Sequence, residues 1–366
     1  MFAFPSSRRA LFALGLPAAL ALAACDDDST GVVVTEFDPT AAAETVEKVV
    51  NSIGGATDAL ASLELAADAL ASTGTLETVL PGGSPMRLLP AAPTRLETIS
   101  LAASSIFPRS ILGKTFVYST RTGRYEIDAS LTGAPENGVR FIYYAIDPIT
   151  RRPAMPLNAR GYLELTDQST ANSTRLGIKA VNTTGATAST LIDYSIDASY
   201  VETTTSERLT LAAKGKISDG TKPVEFDLSH VFSSDVGSDA IGVTVKYALS
   251  APGEGITLRF EASGEMLPDD PDGFALDMVM TVTAGSNTTV VDATIRADGG
   301  VNGTVTINKR NVAVIGGTRD NPTVTTPTGG NLTARELLAL KRIWEAVNHV
   351  TRFGTSILSP FSVWAL

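Results

Sequence analysis

From about Thr115, for some two hundred residues, the chain repeats one pattern, apolar and polar residues in turn, and that alternation constrains its fold more than any other feature. In residues 192–200, Ile192, Tyr194, Ile196, Ala198 and Tyr200 fall on one side of an extended backbone, and Asp193, Ser195, Asp197 and Ser199 on the other. Successive side chains of a strand point to opposite faces, so this is the signature of a sheet with one covered and one wet side. The same period runs through Leu209, Leu211 and Ala213, through Ile241, Val243, Val245 and Tyr247, and through Ile256, Leu258 and Phe260. Turn residues bound the runs, as in Ser218-Asp219-Gly220, Ala251-Pro252-Gly253, Asp270-Pro271-Asp272-Gly273 and Asp298-Gly299-Gly300. About a dozen strands are expected. Their connections are too short for crossover helices, so neighbours should pair antiparallel as a meander.

The apolar face of such a sheet needs a cover. A dozen strands spaced by about 4.8 Å make a flat sheet nearly 60 Å wide, and twisted sheets of that size curl or split. The flanking sequence supplies helices. Val46, Val49, Val50 and Ile53 recur at helical spacing, as do Leu60, Leu63, Ala67 and Leu70 after the Gly54-Gly55 break. A Pro- and Gly-rich loop then leads to a third candidate, where Thr94 and Glu97 have the spacing of a capping box. Beyond a Thr/Pro/Gly linker at about Asp320–Asn331, Thr333 and Glu336 form a second such box. It opens a helix with Leu337, Leu340, Trp344 and Val347 on one face. An apolar tail with Ile357, Leu358, Phe361, Val363 and Trp364 is expected to dock as an extra strand or plug under the sheet, or else to bind a partner.

The expected fold class is α+β, a large curved antiparallel meander, unclosed and barrel-like, with N- and C-terminal amphipathic helices packed on its apolar face. The rivals are two sheets packed face to face and a lipid-facing barrel. Against the barrel stand an aromatic content of 6% without girdles and helices that need somewhere to dock. In outline the strand-rich body resembles the unclosed barrels of periplasmic lipoprotein carriers and mycobacterial lipid-binding lipoproteins.

The N-terminus reads as an address. Arg8 and Arg9 precede an apolar run from Ala10 to Ala24, and a run of that length is too short to span a bilayer, which takes roughly twenty residues. Leu22-Ala23-Ala24-Cys25 resembles the lipobox of bacterial lipoproteins. The resemblance implies recognition by the lipoprotein-processing machinery, a diacylglyceryl group on the Cys25 sulfur, cleavage before Cys25, and an N-acyl chain on the new terminus. Several acyl chains together hold a protein stably on a membrane where one alone is marginal. Ser7-Arg8-Arg9-Ala10-Leu11-Phe12 also resembles the start of a twin-arginine signal, although paired arginines occur in ordinary signals too. Asp26 resembles either an inner-membrane retention signal or a mark for surface display, so the choice between inner and outer membrane stays open. The chain thus divides into a signal peptide at 1–24, an acidic tether at 25–37, a helical region at 38–110, the meander at 111–318, and a linker, helix and apolar tail at 319–366.

Loss of residues 1–24 removes Arg8 and Arg9 and moves the formal charge from −10 to −12. So acidic a chain, without a basic stripe, is not expected to bind nucleic acid. Its single cysteine, Cys25, leaves no disulfide and no cysteine-ligated metal, so stability must come from a core.

Candidate chemistry is sparse. His230 lies in the register Val224, Phe226, Leu228, His230, Phe232 and so points to the covered face, where it either orients a ligand or serves as a core histidine with a satisfied hydrogen bond. His349, near the end of the last helix, suits the helix dipole. Asp269, Asp270 and Asp272 before Gly273 have the flavour of a calcium loop but lack its distant glutamate, and a polar hairpin tip is the better reading. Arg151 and Arg152 lie in a Pro-containing loop that either binds an anion or is simply solvated. Gly316-Gly317 and Gly329-Gly330 carry no phosphate-binding pattern, and the glycosylation-type triplets at Asn172, Asn182, Asn287, Asn302 and Asn331 read as turns and strands. No catalytic set, metal site or cofactor is expected apart from the covalent lipid on Cys25. Three functions remain open: an anchored structural or interaction module using its polar face, a carrier of an apolar ligand between sheet and helices, or an enzyme, since carboxylates alone can support glycoside chemistry although no pair can be chosen here. Small inner-face residues, Ala213, Gly215 and Ala262, suit close helix packing and favour the module.

Overall fold

The computed structural model describes residues 39–54, 57–71, 106–170, 173–236, 238, 240–267, 270–318 and 321–362. Residues 37–366 form one compact unit that holds every described element. Cys25, its lipobox and the Thr94–Glu97 box lie outside the described residues.

Two helices come first, α1 (Pro39–Gly54) and α2 (Thr57–Ala71). Fifteen strands follow: β1 (Lys114–Ser119), β2 (Arg124–Ile127), β3 (Gly138–Tyr144), β4 (Ala159–Asp167), β5 (Thr174–Asn182), β6 (Ser189–Glu202), β7 (Ser206–Ser218), β8 (Pro223–Asp235), β9 (Ile241–Ala251), β10 (Ile256–Leu267), β11 (Asp270–Ala284), β12 (Asn287–Ile295), β13 (Val301–Ile307), β14 (Arg310–Gly317) and β15 (Pro322–Thr325). The helix α3 (Ala334–Ser362) closes the chain.

All the strands among the described residues lie in a single sheet, ordered β15 to β3 in sequence and then β1 and β2. The face-to-face sandwich is thereby excluded. The sheet is also not closed, since its outer strands β15 and β2 are its two unpaired borders. The strand count exceeds the expected dozen, and one pairing departs from the meander. β2 folds back on the outer side of β1, which leaves the other side of β1 to β3, and these two run parallel. Part of the expected linker is also strand: Pro322–Thr325 pairs with β14, with proline at the first position, where its missing N–H costs the ladder least. At the β10–β11 hairpin the ladder reaches Leu267↔Asp270. Asp270 to Gly273 therefore belong to β11 and not to a turn. A register shift at Met266/Leu267 leaves residues 271–273 of β11 without partners in this ladder.

The inner face is largely apolar from β1 to β14. Phe116, Phe141, Leu163, Ile178, Ile196, Leu211, Leu228, Val245, Phe260, Met280, Val291, Val305 and Ile315 are each 0–3% exposed. Flat, fifteen strands would span about 70 Å, whereas the three helices among the described residues, each about 10 Å wide, cover less than half of that. The sheet therefore curves round its helices, aided by register shifts at Tyr143/Tyr144, Ala180/Val181 and Val305/Thr306.

The three helices pack on this face. α1 approaches β7, β8, β10 and β11; α2 lies over β2, β3 and β4; α3 meets β7 and both other helices. α1 and α3 run side by side in the same direction, because Arg335 donates to Thr40 at 2.9 Å and Arg342 donates to Glu47 at 3.4 Å, seven residues further along both helices. Val46 and Val49 of α1, Leu63, Ala67 and Leu70 of α2, and Leu340, Val347 and Val350 of α3 are all buried. The second capping box forms as its spacing predicts: the Glu336 carboxylate accepts from the Thr333 N–H at 2.8 Å, and the Glu336 N–H reaches the Thr333 hydroxyl at 3.3 Å.

Among the described residues the tail is an extension of α3, as far as Ser362, and adds no strand, while Val363 and Trp364 lie outside them. Ile357 and Leu358 are wholly buried within it. Pro360 lies inside this helix and cannot donate to the Ser356 carbonyl one turn back, which accepts the Ser359 hydroxyl at 2.9 Å instead. The neighbouring Ile357 carbonyl accepts the buried Tyr194 hydroxyl at 2.8 Å, pinning this turn to β6.

Candidate functional site

The outer face of the sheet carries a row of alternating charge. Following partners from strand to strand, Arg140 of β3 faces Glu164 of β4, which faces Lys179 of β5, then Asp193 of β6, Lys216 of β7 and Glu225 of β8. Each charge inside the row therefore has opposite charges on both sides, an arrangement that favours this register over any slipped one. The pair at the start is the tightest, with Arg140 and Glu164 at 2.5 Å and both side chains about four-fifths buried. Its guanidinium also lies 4.3 Å from the centre of the Tyr162 ring, which holds it flat against the sheet.

A second row runs beside the first. Ser195 faces Lys214, Lys214 faces Asp227, Asp227 faces Ala248 and Ala248 faces Arg259. Where the two rows cross β6 to β10, short side chains at Ser195, Ala248 and Ser250 leave an open groove of about 880 Å³. Asp193, Glu225 and Asp227 meet Lys214, Lys216 and Arg259 along it, and Gln168 closes it from the β4–β5 connection. Acids and bases balance, so this surface offers paired donors and acceptors without a net field. Lys214 and Asp227 stand 3.3 Å apart with both side chains more than half exposed, so they remain free to exchange partners.

The inner face offers a different environment. His230 is fully buried, and its Nε2 lies 2.6 Å from the Tyr247 hydroxyl, with the two rings stacked at 5.5 Å. Tyr247 stacks in turn on Phe260 at 5.5 Å. Burial pushes the imidazole down to about 3, so it is neutral at physiological pH, and raises the Tyr247 hydroxyl above its usual range. His230 Nδ1 has no partner among the described residues. Above the tyrosine sits Gly354 of α3, where a β-carbon would lie 2.2 Å from Tyr247 Cζ. The backbone of the helix thus rests directly on the ring that His230 orients, in a layer closed to solvent.

The other candidates lie apart. His349 is exposed on α3. Asp270, Asp272 and Gly273 lie in β11, and Asp269 is outside the described residues. Arg151 and Arg152 are exposed in the loop between β3 and β4. Among the described residues no group of three or more His, Cys, Asp or Glu is arranged to hold a metal ion, and no described helix is long and apolar enough to cross a membrane. The charged rows were invisible in the sequence because each contributes one residue per strand, and only the pairing register assembles them.

These features define an α+β protein built on one open, mostly antiparallel sheet with helices on its inner face. Compared with protein-family models, with curated proteins and with solved structures, the chain gives no match.

Proposed function

We propose that the protein is an extracytoplasmic lipoprotein of the cell envelope, anchored through acylated Cys25, whose folded body is an interaction module presenting its charged outer sheet face to a polar partner. The observation that carries this reading is the contrast between the two faces. The outer one displays exposed, exchangeable ion pairs around an open groove; on the inner one, helix backbone lies against Tyr247 and Tyr194 in place of a ligand. The lipobox resemblance supports the anchor and, with it, a location facing the periplasm or the cell surface.

Two measurements test the proposal. Metabolic labelling with an alkyne fatty acid in a bacterial host should mark the full chain and fail to mark Cys25→Ser; equal labelling of both rules out the anchor. Native mass spectrometry of residues 37–366, followed by solvent extraction, should give a clean apo mass with no uptake of added lipid. A stoichiometric lipid surviving purification would overturn the module and establish a carrier of an apolar ligand.

A further inference from the structure

The connection between β3 and β4, residues 145–158, is long for a hairpin and is tied into a fixed shape. The Ala145 N–H donates to the Asn158 carbonyl at 3.0 Å and the Ala154 N–H to the Ala145 carbonyl at 2.8 Å, making a narrow stem. At its tip the Asp147 carboxylate accepts the N–H groups of Ile149 and Thr150 at 2.8 and 2.9 Å, and Asp147 and Arg152 bond through their backbones at 2.9 Å. Arg151 takes a left-handed conformation, φ 54°, that completes the turn.

This ordered tip displays what a soluble loop ordinarily hides. Ile149 is 85% exposed and Met155 67%, the two highest values among the large hydrophobic side chains described. Between them stand the exposed Arg151 and Arg152, which have no ion-pair partner among the described residues. Because β1 runs parallel to β3, the β1–β2 turn emerges at the same end of the sheet on the neighbouring strand. The Arg152 guanidinium lies over it, 3.8 Å from where a β-carbon on Gly123 would sit. That turn adds exposed Arg121 and Arg124, of which Arg121 has Glu126 at 4.0 Å. In a chain of formal charge −10, four arginines and two apolar side chains are thus gathered on one corner.

We infer that this corner is a membrane-docking tip, which inserts Ile149 and Met155 among the headgroups of an anionic bilayer while the arginines meet lipid phosphates. Charge complementarity selects an anionic surface. The small apolar area selects a bilayer over a protein, since a stable protein interface buries about 800 Å² on each side whereas headgroup insertion needs no matching shape. Acylation of Cys25 is not required for this docking. With the acyl anchor in place, the tip supplies a second contact with the same membrane, and a weak intrinsic affinity is enough to orient the body.

The test is co-sedimentation of residues 37–366 with phosphatidylcholine vesicles, with and without about one third phosphatidylglycerol. Binding is expected only to the anionic vesicles, and it should weaken as salt shortens the range of the charges. Arg151→Gln with Arg152→Gln should reduce it roughly tenfold or more, and Ile149→Ser with Met155→Ser roughly tenfold. All four side chains are exposed, so unfolding curves should match the parent's. Val236→Ser, an exposed apolar residue at the opposite end of the sheet, should leave binding unchanged. Failure to sediment with anionic vesicles, equal sedimentation with neutral ones, or indifference to both double substitutions would overturn the proposal. So would a body that ignores vesicles but is retained, through these arginines, by an acidic protein.

Discussion

Gly354 and Tyr247 are in backbone-to-ring contact: a β-carbon at residue 354 would sit 2.2 Å from the tyrosine Cζ and 2.3 Å from its hydroxyl oxygen. The ring cannot step aside, because it is stacked on His230 on one flank and Phe260 on the other. Glycine inside a helix ordinarily costs about 1 kcal/mol relative to alanine, so an unconstrained Gly354→Ala would stabilise α3. Here overpacking should outweigh that gain, and we expect a net loss of about 1–3 kcal/mol in denaturant unfolding. A stability at or above the parent's would mean that α3 is not seated on Tyr247.

The buried imidazole gives a pH dependence with a defined window. His230 is held neutral down to about 3, while the same residue in the unfolded chain takes up a proton near 6.5. Between those values the unfolded state binds more protons, so stability must rise with pH and fall as pH drops from 6.5 toward 3. One proton sets a maximum slope of about 1.4 kcal/mol per pH unit. His230→Phe, compared with the parent by chemical denaturation across about pH 4–7, should flatten the curve by up to that slope while leaving the carboxylate contribution in place. Parallel curves for the two proteins would show that His230 titrates normally and is not enclosed.

The charged row makes a prediction about register. Glu164→Lys would set a third cation between Arg140 and Lys179, on adjacent strands β3 to β5, and would strand the largely enclosed Arg140 guanidinium. A cost of about 2 kcal/mol is expected, partly relieved by salt. Lys214→Glu, on the exposed pair, should cost under about 1 kcal/mol. Thermal unfolding at low and high ionic strength separates the two cases, and equal losses would argue against any special place for the Arg140–Glu164 pair.

The start of α3 depends on a reciprocal cap. Thr333→Ala removes the hydroxyl that receives the Glu336 N–H, and Glu336 loses the hydroxyl it accepts at 2.7 Å. About 1 kcal/mol should be lost in denaturant unfolding. Thr333→Ser should restore most of it, and failure of that rescue would place the effect outside the cap.

Much of this architecture can be read from residue order alone, and what escapes has identifiable causes. Ile192 to Tyr200 declares a strand because strict alternation over nine residues fits no helical face, and Val46 with Val49 declares a buried helical one. β15 is hidden because four residues with a proline hold too little alternation to stand out from a linker. The parallel pairing of β1 with β3 depends on which side of β1 its own hairpin partner takes, a choice the periodicity of Lys114–Ser119 does not record. His230 is legible as an inward-facing residue; its partner Tyr247, on the next strand, is not, since the pairing of β8 with β9 sets them together. Ile149 and Met155 look like ordinary loop residues until their exposure is known.

The two borders of the sheet have a consequence for crowding. Arg124–Ile127 and Pro322–Thr325 are four residues each, the shortest strands among the described residues, and one begins with a residue that has no N–H to offer. A neighbouring copy seeking to extend the ladder would find only four residues of backbone on either border strand, too few for a stable pairing. Fifteen strands could have been a template for endless lateral growth; these borders make the sheet self-terminating, and many copies can share a small area without fusing into a fibre.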